Sequence, residues 1–289
     1  MIAESELIIN QDGTAFHLHI LPEDLADTVI LVGDQGRVPT VASFFDSGSI
    51  ECDKSSREFR TITGRYHGKR ITVLSTGIGT DNIDIVVTEL DALSNIDFST
   101  REIKPEHKTL TILRIGTCGS LRADVPPGDF ILSEIGMGCD GLLNWYQGVN
   151  DVSDSIMEQD FMNYMNWDNR LQTPYFVHSN SEIVAKFKDC PKGITMSAPG
   201  FYGPQGRSIR LKLTYPDFVQ KLEQYSYKGH IMSNIEMENS AIVGLANLLG
   251  HNAATICCVI ANRHSKKCIT DYKPYIEKLI KYSLDCLTV

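Results

Sequence analysis

The sequence predicts a three-layer α/β/α domain built on a central mixed sheet, and three observations carry that expectation. Short β-branched and apolar runs recur along the 289 residues, each followed by a turn and then by a segment with helical spacing. The run 253–261 is too continuously apolar to be half exposed, so it belongs to a strand covered on both faces. No segment is low in complexity, none repeats, and no linker interrupts the pattern, so residues 1–289 are expected to form one domain.

Taken in order, 28–33 reads Thr-Val-Ile-Leu-Val-Gly, a strand ending in a glycine-rich turn, with a helix expected through Val38, Val41, Phe44 and Phe45. A second strand is expected at 70–76. Beyond Gly77 and Gly79, the spacing of Ile83, Val86, Val87, Leu90 and Leu93 predicts a helix over 80–94, with Thr80 or Asp81 as its N-cap. Strands are expected again at 109–115, 129–135 and 193–198. A helix over 237–249 stops at Gly250 and leads into the strand 253–261. Residues 136–180, with Trp145, Tyr146, Trp167 and many Asn, Asp and Met, break the pattern. They read as an irregular excursion that covers a site or contributes to an interface.

Composition narrows the function. A formal net charge of -9 argues against a nucleic-acid groove, which needs clustered Lys and Arg. No apolar run approaches the roughly 20 residues of a membrane helix, and the acidic opening Met1-Ile2-Ala3-Glu4-Ser5-Glu6 is unlike a signal peptide, so a cytoplasmic protein is expected. The eight cysteines lack CxxC spacing and read as reduced thiols rather than a zinc site. Cys257 and Cys258 read as small buried hydrophobes. Cys118 has no neighbouring His to raise its thiolate fraction and is not expected to be a nucleophile.

Four segments carry chemistry. Arg114-Ile-Gly-Thr-Cys-Gly119 ends a strand and brings a cation, the Thr117 hydroxyl and close-approaching backbone to the carboxyl edge of a sheet, which points to an anion site. Gly33-Asp34-Gln35-Gly36-Arg37 is either a plain tight turn or a concavity of backbone N–H groups with an added charge. Glu236-Met237-Glu238 precedes a helix; its carboxylates either favour the positive end of the helix dipole or offer paired acceptors for vicinal hydroxyls. Phe201-Tyr-Gly-Pro-Gln-Gly-Arg207 is either a turn with a surface arginine or an aromatic face beside a planar amide and a guanidinium. In the second reading it suits a flat heterocycle with carbonyl oxygens and a ring N–H. Position 82 is Asn where a G-x-G-x-x-G dinucleotide loop needs Gly, and no Walker loop exists.

Together these segments resemble uridine phosphorylases of the nucleoside phosphorylase superfamily, over about 16–264. The matching pieces, in order, are Phe16-His17-Leu18, Gly33-Asp34 with Arg37, Ser56-Arg57-Glu58-Phe59, Ser75-Thr-Gly-Ile-Gly79, the Arg114 segment, 201–207, Glu236-Met237-Glu238 and 259–263. The resemblance implies that Gly33, Arg37, Arg114 and Thr117 bind phosphate, joined by Arg57 from a neighbouring subunit. It implies that Phe201 stacks on the base, that Gln205 and Arg207 bond its edge, and that Arg263 positions the loop. Met237 and Glu238 would hold the ribose, with the neighbour's His17 at the 5'-hydroxyl. Arg37, Arg114, Glu238 and Arg207 would then be the catalytic set. A homo-oligomer with shared sites follows, and Glu58, Ile71 and Ser75 are implied as a potassium site.

Three departures stand out. Gln35 replaces the proline of the family's GDPxR loop, Gly203-Pro204 alters the base loop, and Asn262 stands where purine-specific relatives place a proton-donating Asp. The expected reaction is reversible phosphorolysis of uridine to uracil and ribose 1-phosphate, with inorganic phosphate as co-substrate and no cofactor required. The alternatives are a purine nucleoside phosphorylase, a hydrolytic nucleosidase or a non-catalytic nucleoside-binding relative.

Overall fold

The computed structural model describes residues 1–288. The chain enters β1 (Thr28–Val32), all five residues of which are buried, then α1 (Arg37–Ala42), the hairpin β2 (Cys52–Ser56) and β3 (Phe59–Tyr66), β4 (Lys69–Ser75) and the long helix α2 (Thr80–Asn95). A small hairpin, β5 (Ile96–Asp97) and β6 (Glu102–Ile103), precedes β7 (Thr111–Ser120) and β8 (Phe130–Gly138). Next come α3 (Val149–Val152), α4 (Ser155–Met165), β9 (Tyr175–His178), α5 (Ser181–Lys186) and β10 (Lys192–Ser197). The remainder holds α6 (Phe218–Gln224), β11 (Ser226–Tyr227), β12 (His230–Glu236), α7 (Asn239–Leu248), β13 (Asn252–Asn262), β14 (Lys267–Cys268) and α8 (Lys273–Thr288).

Neighbouring strands run in the order β2, β3, β4, β1, β7, β13, β8, β10, β12, and β12 then returns to pair with β7. That return is antiparallel, Asn234 opposite Ser120 and Ile235 opposite Gly119. The strands β7, β13, β8, β10 and β12 therefore close on themselves, while β1 to β4 spread as an open wing. The sheet is mixed: β1 runs parallel to β4 and β7, whereas β13 and β8 are antiparallel.

Alternation along β1 sets the layers. Val29 and Leu31 face one core with Ile83, Val86 and Leu90 of α2 and Ile242 and Leu245 of α7. Ile30 and Val32 face the other, with Val38 of α1, Ile183 of α5 and Leu279 and Leu284 of α8. Each fully buried aliphatic side chain contributes about 1.5–3 kcal/mol, set against the entropy of ordering it. The expected three-layer arrangement is what forms. Among the described residues no helix is long and apolar enough to cross a membrane.

Several local expectations are corrected. The segment 116–120 does not turn away but continues β7, because β12 and β13 both supply it with partners. The N-cap of α2 is Gly79, at φ +94°, rather than Thr80 or Asp81, since the helix end faces an acceptor from another part of the chain. Residues 136–180 are largely ordered: β9 pairs with β8, and α4 buries Met157, Phe161 and Met165 and is capped by the Asp154 side chain, which accepts from the Met157 N–H at 3.0 Å. The hairpin β2–β3, the strand β12 and the helix α8 complete the fold beyond the expected elements.

Candidate active site

The carboxyl ends of β1 and β7 and the ends of β12 and β13 open on a cavity of about 800 Å³. Gly33, Arg37, Arg114, Thr117, Phe201, Gln205, Arg207, Met237 and Glu238 all line it. Residues spread over some two hundred positions of sequence thus converge on one hollow, at the sheet edge where α/β folds place their ligands.

Two guanidinium groups form its basic end. Arg114 projects from β7 and folds back over Gly116, where a Cβ would fall 1.9 Å from Nη1; any other residue would displace the cation. Arg37, the first residue of α1, donates from Nη1 to the carbonyl of Ile115 at 3.1 Å. Both are buried. Burial, then the neighbouring charge of Arg114, lowers the pKa of Arg37 from its ordinary value. Two neighbouring buried like charges favour an anion between them.

Glu236 and Glu238, separated by one residue, take different tasks. Glu236 ends β12 and accepts the first N–H groups of α7, from Glu238 at 2.8 Å and Asn239 at 2.9 Å, together with the Ser197 hydroxyl at 2.6 Å. It also faces Arg114 Nη1 at 3.3 Å. Burial pushes its pKa up to about 6, Arg114 opposing the shift and Glu238 adding to it. Glu238 turns into the cavity, accepts the Gly79 N–H at 2.7 Å and ion-pairs with Arg114 Nη2. Burial works against the Arg114 charge, but Glu238 and then Glu236 overcome it and hold that pKa above its ordinary value. Among the described residues the buried Arg114 Nε–H has no partner.

The opposite end is the loop 201–207. The Gln205 side chain is buried, and its Oε1 accepts from Arg207 Nη1 at 2.5 Å. The same nitrogen donates to the Phe201 carbonyl at 2.7 Å, and the guanidinium carbon lies 4.0 Å from the centre of the Phe201 ring. Burial, then the charge of Arg263, lowers the Arg207 pKa to about 10. Arg263 stands outside the cavity and donates from Nη2 to the carbonyls of Gln205 at 3.2 Å and Gly206 at 3.4 Å, so it braces the loop from behind.

Other expected residues lie elsewhere. The His17 ring is held by Glu89 at 2.5 Å, and Arg57 sits at φ +54° on the turn between β2 and β3; neither lines this chain's own cavity. Glu58 lines it, while Ile71 and Ser75 of the implied intersubunit potassium set lie four residues apart on β4, about 13 Å by strand rise. The Ser75 hydroxyl is already engaged, donating to the Glu58 carbonyl at 2.7 Å and accepting from the Arg60 N–H at 2.7 Å. Asn262 does not face the cavity either. Its amide donates to the carbonyls of Arg122 at 2.7 Å and Val125 at 2.9 Å and accepts the Ser265 N–H at 2.7 Å. The Cys118 thiol lines the cavity, with burial and then Cys257 holding its pKa well above the ordinary thiol value, against a nucleophilic role.

Of the two sequence readings for the glutamates, the helix-end task falls to Glu236 and the cavity-facing one to Glu238. Sequence reasoning missed the Gly79 N–H and the wall formed by Ile260, Ile269 and Tyr272, neither of which leaves a local signal. Asp91, His107 and His251 also gather at the far end of the sheet, with donor atoms within 4.8 Å of one another. They do not suit a metal. The Leu110 N–H donates to His251 Nδ1 at 3.1 Å, which leaves the ring proton on Nε2 facing Asp91 at 3.1 Å, where an ion would have to sit.

Similarity to known proteins follows the same outline. The chain is 28% identical over 253 residues to uridine phosphorylase of Thermococcus kodakarensis, covering 88% of this chain and 79% of the relative. It is 29% identical over 244 residues to a DeoD-type purine nucleoside phosphorylase of Vibrio cholerae, covering 84% of each. The crystal structure of a Trypanosoma brucei nucleoside phosphorylase described as having uridine phosphorylase activity superposes with a TM-score of 0.87 at 30% identity, covering 98% of this chain and 99% of that one. Residues 27–277 match the family model of the phosphorylase superfamily, and with the cavity's converging arginines and carboxylates they carry the conclusion that this chain belongs to the phosphorylase superfamily.

Proposed function

We propose that the protein catalyses reversible phosphorolysis of uridine, yielding uracil and ribose 1-phosphate, with inorganic phosphate as co-substrate. The observation that carries this is the single hollow with two buried arginines at one end, an amide–guanidinium pair over an aromatic ring at the other, and Glu238 between them. Phosphate bound by Arg37, Arg114, Thr117 and the Gly33 turn would present an oxygen to the anomeric carbon. As the new C–O bond forms, the glycosidic bond breaks and its electron pair leaves on uracil, whose carbonyl charge Arg207 and Gln205 would stabilise. Glu238 keeps lone pairs free for a ribose hydroxyl while holding Arg114, so one carboxylate ties the sugar to the group that orients the nucleophile.

A hydrolytic nucleosidase would need a carboxylate free to activate water, whereas the two buried glutamates of the cavity, Glu236 and Glu238, are committed to Arg114. Purine phosphorolysis remains a second reading because a purine enzyme is as similar in sequence as a uridine enzyme. The planar pair at Gln205 and Arg207 favours the pyrimidine. In this reading the chain is one domain of a cytoplasmic homo-oligomer in pyrimidine nucleoside salvage, with Arg57 and His17 serving a neighbouring site. Base release from uridine, thymidine, inosine and adenosine, with and without phosphate, tests the proposal. Phosphate-dependent release favouring uridine is expected; phosphate-independent release or a purine preference would overturn it.

A further inference from the structure

The base loop has a second face. Behind the turn Gly203–Gln205 lies another cavity, of about 660 Å³, within the range of small-molecule pockets, walled by Trp167, Leu171, Met196, Tyr202, Tyr215 and Phe218. Among the described residues no acidic one lines it, although acids outnumber bases across the chain by 36 to 27. Three cations do: Arg207, Arg210 and Lys212. Among the described residues Arg210 and Lys212 make no hydrogen bond or ion pair, and both are exposed. The nearby carboxylate of Asp168 is already bonded by Arg170 at 2.8 Å and by the Tyr215 hydroxyl at 2.6 Å.

Flat aromatic walls select a flat apolar body, and unpartnered cations at the rim select a negative end. Arg207 is the shared element, since its guanidinium lies in the walls of both cavities. We propose that this second cavity is a binding site for an aromatic carboxylate or sulfonate, and that its occupant draws Arg207 away from Gln205 and Phe201 and so weakens binding of the base. The coupling rests on the uridine phosphorylase reading of Arg207; the site itself does not. By reciprocity, the base must weaken the occupant by the same factor.

The test uses the fluorescent aryl sulfonate 1-anilinonaphthalene-8-sulfonate on the intact protein, with energy transfer from Trp167 as the readout and Trp145→Phe as background. One equivalent should bind. Arg210→Gln with Lys212→Gln should weaken it about tenfold while leaving the KM for uridine unchanged without the probe. The uncharged analogue N-phenyl-1-naphthylamine should show no such loss. Saturating uracil should weaken the probe about tenfold and then reach a plateau. Strict competition with uracil, without a plateau and indifferent to the rim variants, would put the probe in the first cavity and overturn the proposal. Binding that appears only on dilution into monomers would overturn it too, because a second copy would then cover this face. Charge-dependent probe binding by a protein that does not cleave uridine would uphold the site and reject the functional reading alone.

Discussion

Arg114 sits between two buried carboxylates, and its removal would have two separable effects. Glu236 and Glu238 would be left as unpaired charges in the interior, a loss of about 3–5 kcal/mol in stability where the protein cannot relax. In the proposed reaction phosphate would also lose the group that orients it, so Arg114→Ala should reduce phosphate-dependent kcat/KM by about 10³ or more. Thermal melts and steady-state kinetics separate the two, and a stable variant that still responds to phosphate would contradict both roles. Glu236 gives a second test. Its carboxyl ionises at about 6 in the folded protein against an ordinary value of 4.5, so in that interval the folded state holds the extra proton. Its contribution to stability is complete below the ordinary value and is lost as pH rises through about 6. Glu236→Gln should be less stable overall, since one acceptor of the α7 N–H groups is gone, yet its melting temperature should fall less steeply across that interval; parallel profiles would rule the assignment out. From sequence the two glutamates read alike, because what distinguishes them is where the Arg114 guanidinium and the Ser197 hydroxyl arrive, and neither is near in the chain.

Elements were legible where one helix or strand carries its own period. The spacing of Ile83, Val86, Val87, Leu90 and Leu93 places α2 to within a residue of its observed end, and the apolar run at 253–261 lies inside β13. The segment 116–120 misled because glycines in a strand look like a turn until partners on both sides are known. Helix α4 did carry a signal, Met157, Phe161 and Met165 at four-residue spacing behind the Asp154 cap, hidden by surrounding polar residues. Asn262 shows how an element can recast a side chain. At the end of β13 its amide nitrogen faces two carbonyls, so it fastens the 122–125 segment to the strand rather than meeting a base. Asn262→Asp should therefore cost about 2–4 kcal/mol through repulsion and two lost hydrogen bonds, lowering the melting temperature. It should not introduce inosine cleavage, and efficient inosine cleavage by that variant would show that the side chain does reach the substrate.

At the scale of the molecule, the closure of the sheet by β12 onto β7 is what brings Glu236 to Arg114, and no local pattern encodes a pairing so distant in sequence. At the same scale, His17 and Arg57 lie outside the cavity of their own chain. They lie together on the surface: the Arg57 guanidinium is 5.5 Å from the Phe16 ring, and the Phe16 and His17 rings are 4.8 Å apart. In the proposed shared-site reading, this cation and imidazole would complete the site of a second copy, and a two-fold arrangement would let each copy serve the other. Complementation follows from that geometry. Arg57→Ala and Arg114→Ala, each nearly inactive alone, should regain activity when co-expressed, because a mixed dimer holds one site with both arginines intact. Random pairing would restore about a quarter of the sites. Activity no greater than the sum of the two separate variants, with mixed dimers confirmed by mass spectrometry, would mean that Arg57 acts within its own chain or not at all.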